Sequence, residues 1–138
     1  VGRNCNLLLN ANPNPEGLVP EADFQRHVEF GKEIRRRFDK PLAQTEGRGD
    51  MVELKLAAST LIDHVIVMED IGHGERIREY QIEGMVGVDT WQTLCTGQSV
   101  GHKRIQQLDP REIGKVRLRV LKSAAEPLIR SLAVYRVG

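Results

Sequence analysis

The stretch Lys115-Val116-Arg117-Leu118-Arg119-Val120 alternates basic and aliphatic residues without a break. Successive side chains of an extended chain point to opposite faces. Val116, Leu118 and Val120 therefore line one face and Lys115, Arg117 and Arg119 the other, the pattern of a strand with one buried and one wet side. Working outward, segments of this kind recur from Gly47 onward, separated by glycine or proline turns at intervals of roughly ten residues, as in an all-β sandwich or barrel. The candidate strands are 51–56, 64–70, 77–83, 90–95, 99–106, 115–121 and 129–137. His64-Val65-Ile66-Val67-Met68 is apolar on both faces, which places it in the centre of a sheet or under a cover. Ile77 is out of phase with Tyr80 and Ile82, which predicts a bulge or a late strand start near Arg78.

The chain has 138 residues, enough for one domain that buries about two-thirds of its unfolded surface. Twenty Lys and Arg balance nineteen Asp and Glu, and the one basic cluster, Arg35-Arg36-Arg37, falls inside an amphipathic pattern, so nucleic acid is not an expected partner. No apolar stretch is long enough to span a bilayer, and neither a signal-peptide pattern nor an Asn-x-Ser/Thr sequon occurs within these residues. Cys5 and Cys95 match no metal or redox spacing and read as small buried hydrophobes.

Ahead of the alternating segments the pattern is different. Cys5 to Leu9 reads as a short strand buried on both faces, followed by a loop at Asn12-Pro13-Asn14-Pro15-Glu16-Gly17. Pro20 suits the first turn of a helix and Glu21 and Asp23 its positive end. Phe24, Val28, Gly31, Ile34 and Phe38 recur every three or four residues as one apolar stripe, and Pro41 ends the helix. The chain opens without methionine inside an apolar run, as the interior of a longer protein would. Strand, loop, helix and then a β domain is the order expected at the end of a (β/α)₈ barrel that carries a C-terminal sandwich. The expected division is 1–46 for the last βα unit and 47–138 for the sandwich.

Several motifs carry a resemblance. Gly2-Arg3-Asn4-Cys5-Asn6-Leu7-Leu8-Leu9-Asn10 is followed by the Pro-x-Pro-x-Gly-Leu loop from Pro13 to Leu18 and by Glu29-Phe30-Gly31. Downstream come Asp63-His64-Val65-Ile66-Val67-Met68-Glu69-Asp70-Ile71, Gly74-Glu75-Arg76-Ile77, Trp91, Val100-Gly101-His102-Lys103-Arg104-Ile105 and Val116-Arg117-Leu118. In this order they resemble the last βα unit and the C-terminal domain of α-L-fucosidases, retaining glycoside hydrolases that release L-fucose. Some relatives have glycine where this chain has Cys5. The resemblance implies a mainly β fold, an antiparallel β-sandwich of jelly-roll, galactose-binding-like type preceded by a strand-loop-helix remnant.

The resemblance also implies that the catalytic carboxylates lie upstream of the residues present. A retaining glycosidase needs two carboxyl groups about 5–5.5 Å apart. Glu69 and Asp70, adjacent on a strand, would point to opposite faces, and Glu75 and Glu79 read as solvated. This chain alone is therefore not expected to be an enzyme. It is expected to be a carbohydrate-binding or supporting module, or else a purely structural domain packed on the parent's catalytic barrel.

For a sugar site the candidates are Trp91, His73, His102 and Arg104. Trp91 is the only tryptophan and offers a ring face, and the alternative is that it plugs the core. His73 lies between two glycines, and His102 and Arg104, two apart on a strand, would share a face and present donors to hydroxyls. The alternatives are a turn cap for His102 and a buried ion pair for Arg104. No histidine pair has metal-ligand spacing, so no metal or cofactor is expected, although Glu69 or Asp70 could contribute to a structural calcium. Expected partners are a glycan such as a fucosylated oligosaccharide, the catalytic barrel, and a second copy paired through the N-terminal strand.

Overall fold

The computed structural model describes residues 2–138: helix α1 (Glu21–Phe38), then β1 (Ala43–Arg48), β2 (Met51–Glu69), β3 (Ile77–Val86), β4 (Thr90–Gly97), β5 (Arg104–Ser123) and β6 (Leu128–Tyr135), with a 3-10 turn at Ile71–His73. Every pairing is antiparallel, in the order β1-β6-β2-β5-β3-β4. Two strands serve both layers of the sandwich. The first half of β2 pairs with the second half of β5, where Val52 faces Leu118, and the second half of β2 pairs with the first half of β5 and with β6. One layer is thus β4-β3-β5-β2 and the other β5-β2-β6-β1.

This sharing explains why the seven candidate strands become five, to which β1 adds a sixth. Segments 51–56 and 64–70 are one strand, as are 99–106, which begins only at Arg104, and 115–121. The breaks read as turns are bends: the β2–β5 register shifts between Lys55 and Thr60 and again between Ile62 and His64. Pro110 sits within the second shift, where no ladder hydrogen bond is asked of it. The register of β3 on β5 also shifts on both sides of Glu79, so Ile77, Tyr80 and Ile82 all reach the core, as the phase break near Arg78 predicts.

The core lies between the layers. Val116, Leu118 and Val120 face it with Val52, Leu54, Val65, Val67 and Ile82, while Lys115, Arg117 and Arg119 stay outside. Each fully buried aliphatic contributes about 1.5–3 kcal/mol relative to exposure. The doubly apolar run behaves as expected: β2 is central in its layer, and Ile66 on its outer face is covered by a smaller cluster of Ala133, Tyr135, Val137, Ile105 and Phe38.

Three expectations fail. Cys5 to Leu9 forms no strand: only Gly2–Asn4 finds a partner, through Ile105 N–H to the Gly2 carbonyl at 2.9 Å and Asn4 N–H to the Lys103 carbonyl at 3.0 Å. The leucines beyond it meet no second strand and stay exposed. Cys5 is accordingly exposed too, and only Cys95 packs on the core, where burial pushes its thiol up to about 11. Finally, Ala43–Arg48 is a strand although its sequence, AQTEGR, carries no aliphatic alternation; it is an edge strand that turns Ala43, Thr45 and Gly47 inward. The sheet therefore begins ahead of residue 47.

Candidate functional site

The four sugar-site candidates are spread over the molecule. His102 lies in the turn before β5, not on the strand, so it does not share a strand face with Arg104. It borders a cleft of about 790 Å³ with Asn4, Leu7, Phe30 and Ile71. His73, exposed in the 3-10 turn, borders a second cleft of about 600 Å³ with Asp70 and Arg130, and the Arg130 guanidinium reaches to 3.4 Å from His102 Nδ1. Arg104 borders a third, of about 410 Å³, with Arg3, His64 and Gln106, and its Nε is buried without a hydrogen-bond partner. Trp91 lines none of these three. Only His73 and His102 share one end of the sandwich, and no one of the three clefts holds two candidates.

That end is organised by a residue whose role the sequence reading missed. Glu69 is 1% exposed and accepts hydrogen bonds from the amides of Arg76 (2.9 Å), Ile77 (3.0 Å) and Gly101 (2.8 Å). One carboxylate therefore ties the β2–β3 loop to the β4–β5 loop. Asn4, at φ 54°, adds the N-terminal segment: its Oδ1 accepts from His102 N–H and its Nδ2 donates to Glu75, each at 2.7 Å. Gly101 is required here on two counts, a φ of +60° and an Asn4 amide only 2.1 Å from where a Cβ would stand. Glu69, read from the sequence as a contributor to calcium, has both oxygens engaged with amide N–H groups. Asp70 lies beyond the end of β2, where it caps the 3-10 turn by accepting from Gly72 N–H at 3.1 Å.

At the far end Asp63 plays the equivalent part. It accepts from Val137 and Gly138 amides at 2.8–3.0 Å and from His64 Nδ1 at 2.7 Å. The edge of Phe38 packs on His64 and Tyr135, each with centroids 5.7 Å apart, which is how the end of α1 is held to the sheet. Burial pushes the Asp63 carboxyl up, but the His64 bond and the two amides outweigh it and hold the group below its ordinary value. The stabilisation is therefore complete above the unfolded aspartate pKa, about 4, and is lost as pH falls through the lower folded value. Asp63→Asn is expected to cost about 1–3 kcal/mol at neutral pH and little in acid; denaturant melts at both pH values check this, and an equal loss at both would contradict it.

The outer face of the β4-β3-β5-β2 layer carries the third buried carboxylate. Glu83 is held by Arg117, with Arg119 at 3.4 Å and Gln81 Nε2 at 2.7 Å, and the Arg117 guanidinium lies 4.0 Å from the centre of the Trp91 ring. The Arg117 bond holds the Glu83 carboxyl below its usual range against the opposing effect of burial. Trp91 is thus half-buried on an outer face, not in the core. Among the described residues no three His, Cys, Asp or Glu side chains converge as a metal site.

The remaining feature is apolar and open. No residue of α1 is buried; Phe24 is 51% and Phe30 41% exposed, and beside them Leu7, Leu8 (87%), Leu9, Leu18 and Val19 also face outward.

No family model matches the chain. Alpha-L-fucosidase 1 of Arabidopsis thaliana is 28% identical to it, with 98% of this chain and 34% of that protein covered. A solved structure of a "putative alpha-L-fucosidase" from Bacteroides thetaiotaomicron VPI-5482 is 45% identical with a TM-score of 0.96, over 99% of this chain and 32% of that one. The chain thus spans about a third of the length of these relatives. A chitosan-binding module of a Paenibacillus sp. IK-5 chitosanase/glucanase shares the sandwich fold at 18% identity and a TM-score of 0.54, over 75% of this chain and 84% of that one.

Proposed function

Since the chain corresponds to the C-terminal part of the α-L-fucosidases, we propose that it is their supporting β-sandwich module together with the barrel's last βα unit, joined to the rest of the catalytic barrel through the apolar face of residues 5–34. The observation that carries this reading is the unburied stripe itself. The sandwich fills its own core, yet Leu7, Leu8, Leu9, Phe24 and Phe30 lie in the open. A patch of this kind on an otherwise well-packed domain marks an interaction surface. Burying it gains about 25 cal/mol per Å² of apolar area.

Hydrolysis on this reading belongs to carboxylates outside the chain. Its three buried ones have structural partners: Asp63 holds the C-terminal amides, Glu69 the loops and Glu83 the arginines. The dispersal of His73, His102, Arg104 and Trp91 favours support over a single fucosylated-oligosaccharide site built from all four.

The experiment is a calorimetric titration of this chain against the catalytic part of an α-L-fucosidase relative that ends before its own last βα unit, with an aryl α-L-fucoside assay alongside. A one-to-one complex is expected, weakened about tenfold or more by Phe24→Ser with Phe30→Ser, and no turnover by this chain alone. Turnover by the chain alone, or a complex indifferent to both substitutions, overturns the proposal. A second copy seated on the same face would instead appear as a dimer sensitive to those substitutions, and would overturn it too.

A further inference from the structure

From the open face of the β4-β3-β5-β2 layer we infer a binding surface for an acidic glycan, a pyranose bearing a carboxylate or sulfate, seated on Trp91 with its charge on Lys55 and Lys115. It goes beyond the docking role and uses the opposite layer from α1.

Register puts these groups together. On this face Trp91 stands opposite Met85, Met85 opposite Lys115, and Lys115 opposite Lys55, one continuous row across four strands. Strands lie about 4.8 Å apart, so the indole starts about 10 Å from Lys115. It does not stay over its own strand. Arg117, on β5 two residues beyond Lys115 on the same face, reaches over β3 to Glu83, and the ring meets its guanidinium there, about one strand from the Lys115 position.

The ring is also held from one side. The Arg117 side chain is only 19% exposed and its Glu83 partner 8%. A guanidinium on an open sheet face is covered to that degree by something lying over it, and the indole is the large group in contact. Glu83 fixes Arg117, Arg117 supports one face of the half-buried ring, and on this inference the opposite face takes the C–H groups of a sugar. Such a platform loses little freedom on binding.

The two lysines give the ligand its charge. Like charges directly opposite on neighbouring strands destabilise a sheet, yet Lys55 and Lys115 are such a pair, and neither is in a salt bridge among the described residues. An anion beside the ring relieves the repulsion. A flat ring face without a side-chain pocket suits a pyranose better than an acidic peptide.

Trp91 is the only tryptophan, so fluorescence of the whole chain reads this site alone. The probes are trigalacturonate, a sulfated galactose trisaccharide, the neutral galactose trisaccharide and a hexaglutamate peptide. A saturable change with trigalacturonate or the sulfated sugar is expected, the responding one naming the anion, with the neutral sugar about tenfold weaker or worse. Lys55→Ser with Lys115→Ser, both at the surface, keeps the unfolding midpoint and the fluorophore and is expected to weaken the acidic sugar about tenfold. Phe24→Ser with Phe30→Ser is expected to leave it unchanged, which separates this site from the docking face. No saturable response, equal affinity for the neutral sugar or for hexaglutamate, or indifference to the lysine substitutions overturns the inference.

Discussion

Glu69→Ala is expected to destabilise the protein by about 3–5 kcal/mol, more than any surface substitution should. The carboxylate is 1% exposed and its three donors are backbone amides from two loops 25 residues apart in sequence, Arg76 to Gly101. Removing it leaves those amides without an acceptor in a place water does not reach, at about 1–3 kcal/mol for each group so stranded. The damage should be local as well as global. Hydrogen exchange at Arg76, Ile77 and Gly101 should lose protection even under conditions where β5 keeps its own. Glu69→Gln is the informative control: one oxygen can still serve Arg76 and Ile77, whereas an amide NH₂ facing Gly101 N–H opposes donor to donor. It should recover part of the stability and none of the protection at Gly101. Full recovery by glutamine would show that the loops are not tied as described.

Tyr80→Ala should cost about 3–5 kcal/mol by emptying the core. Tyr80 is fully buried, and burial pushes its phenol up. Its hydroxyl accepts from Gln106 Nε2 at 2.8 Å, joining the β3 and β5 sides of the core. A smaller loss, about 0.5–1.5 kcal/mol, is expected for Tyr80→Phe, which removes only that bond. Gly97 supplies a coupled test, because a Cβ there would stand 2.5 Å from the Tyr80 ring. Gly97→Ala should therefore destabilise the native protein but be nearly neutral in the Tyr80→Ala background. Strict additivity in urea melts of the four proteins would contradict the packing.

Much of the sandwich is legible in the sequence, since its strands carry their burial in period two. Lys115 to Val120 names its faces residue by residue, and His64 to Met68 announces a central strand with a cover. The break in phase after Ile77 marks the bulge. What is hidden depends on partners far away in the chain. Cys5 to Leu9 has the composition of a buried strand but no strand to pair with among the described residues, and composition does not say where the neighbours are. AQTEGR lacks the aliphatics that mark a strand because an edge position asks only for backbone pairing and small inward groups.

The site shows the same limit more sharply. His102 and Arg104 are two apart, but the strand starts at Arg104, so the inference of a shared face fails by the placement of one boundary. Trp91 was visible as a platform, yet its support from Arg117 and Glu83 depends on register between three strands. Glu69 did leave a signal: it sits in phase with Val65 and Val67, and a carboxylate in the core phase of a strand calls for buried donors. Asn4 left none, because its contacts to Glu75 and His102 span most of the chain.

The most direct test of the docking role is hydrogen exchange of this chain, alone and with the catalytic part of an α-L-fucosidase relative that ends before its own last βα unit. New protection is expected in residues 5–34, with the outer strands β3 and β4 unchanged. Protection that appears on β3 and β4 while residues 5–34 stay as open as in the free chain would contradict it.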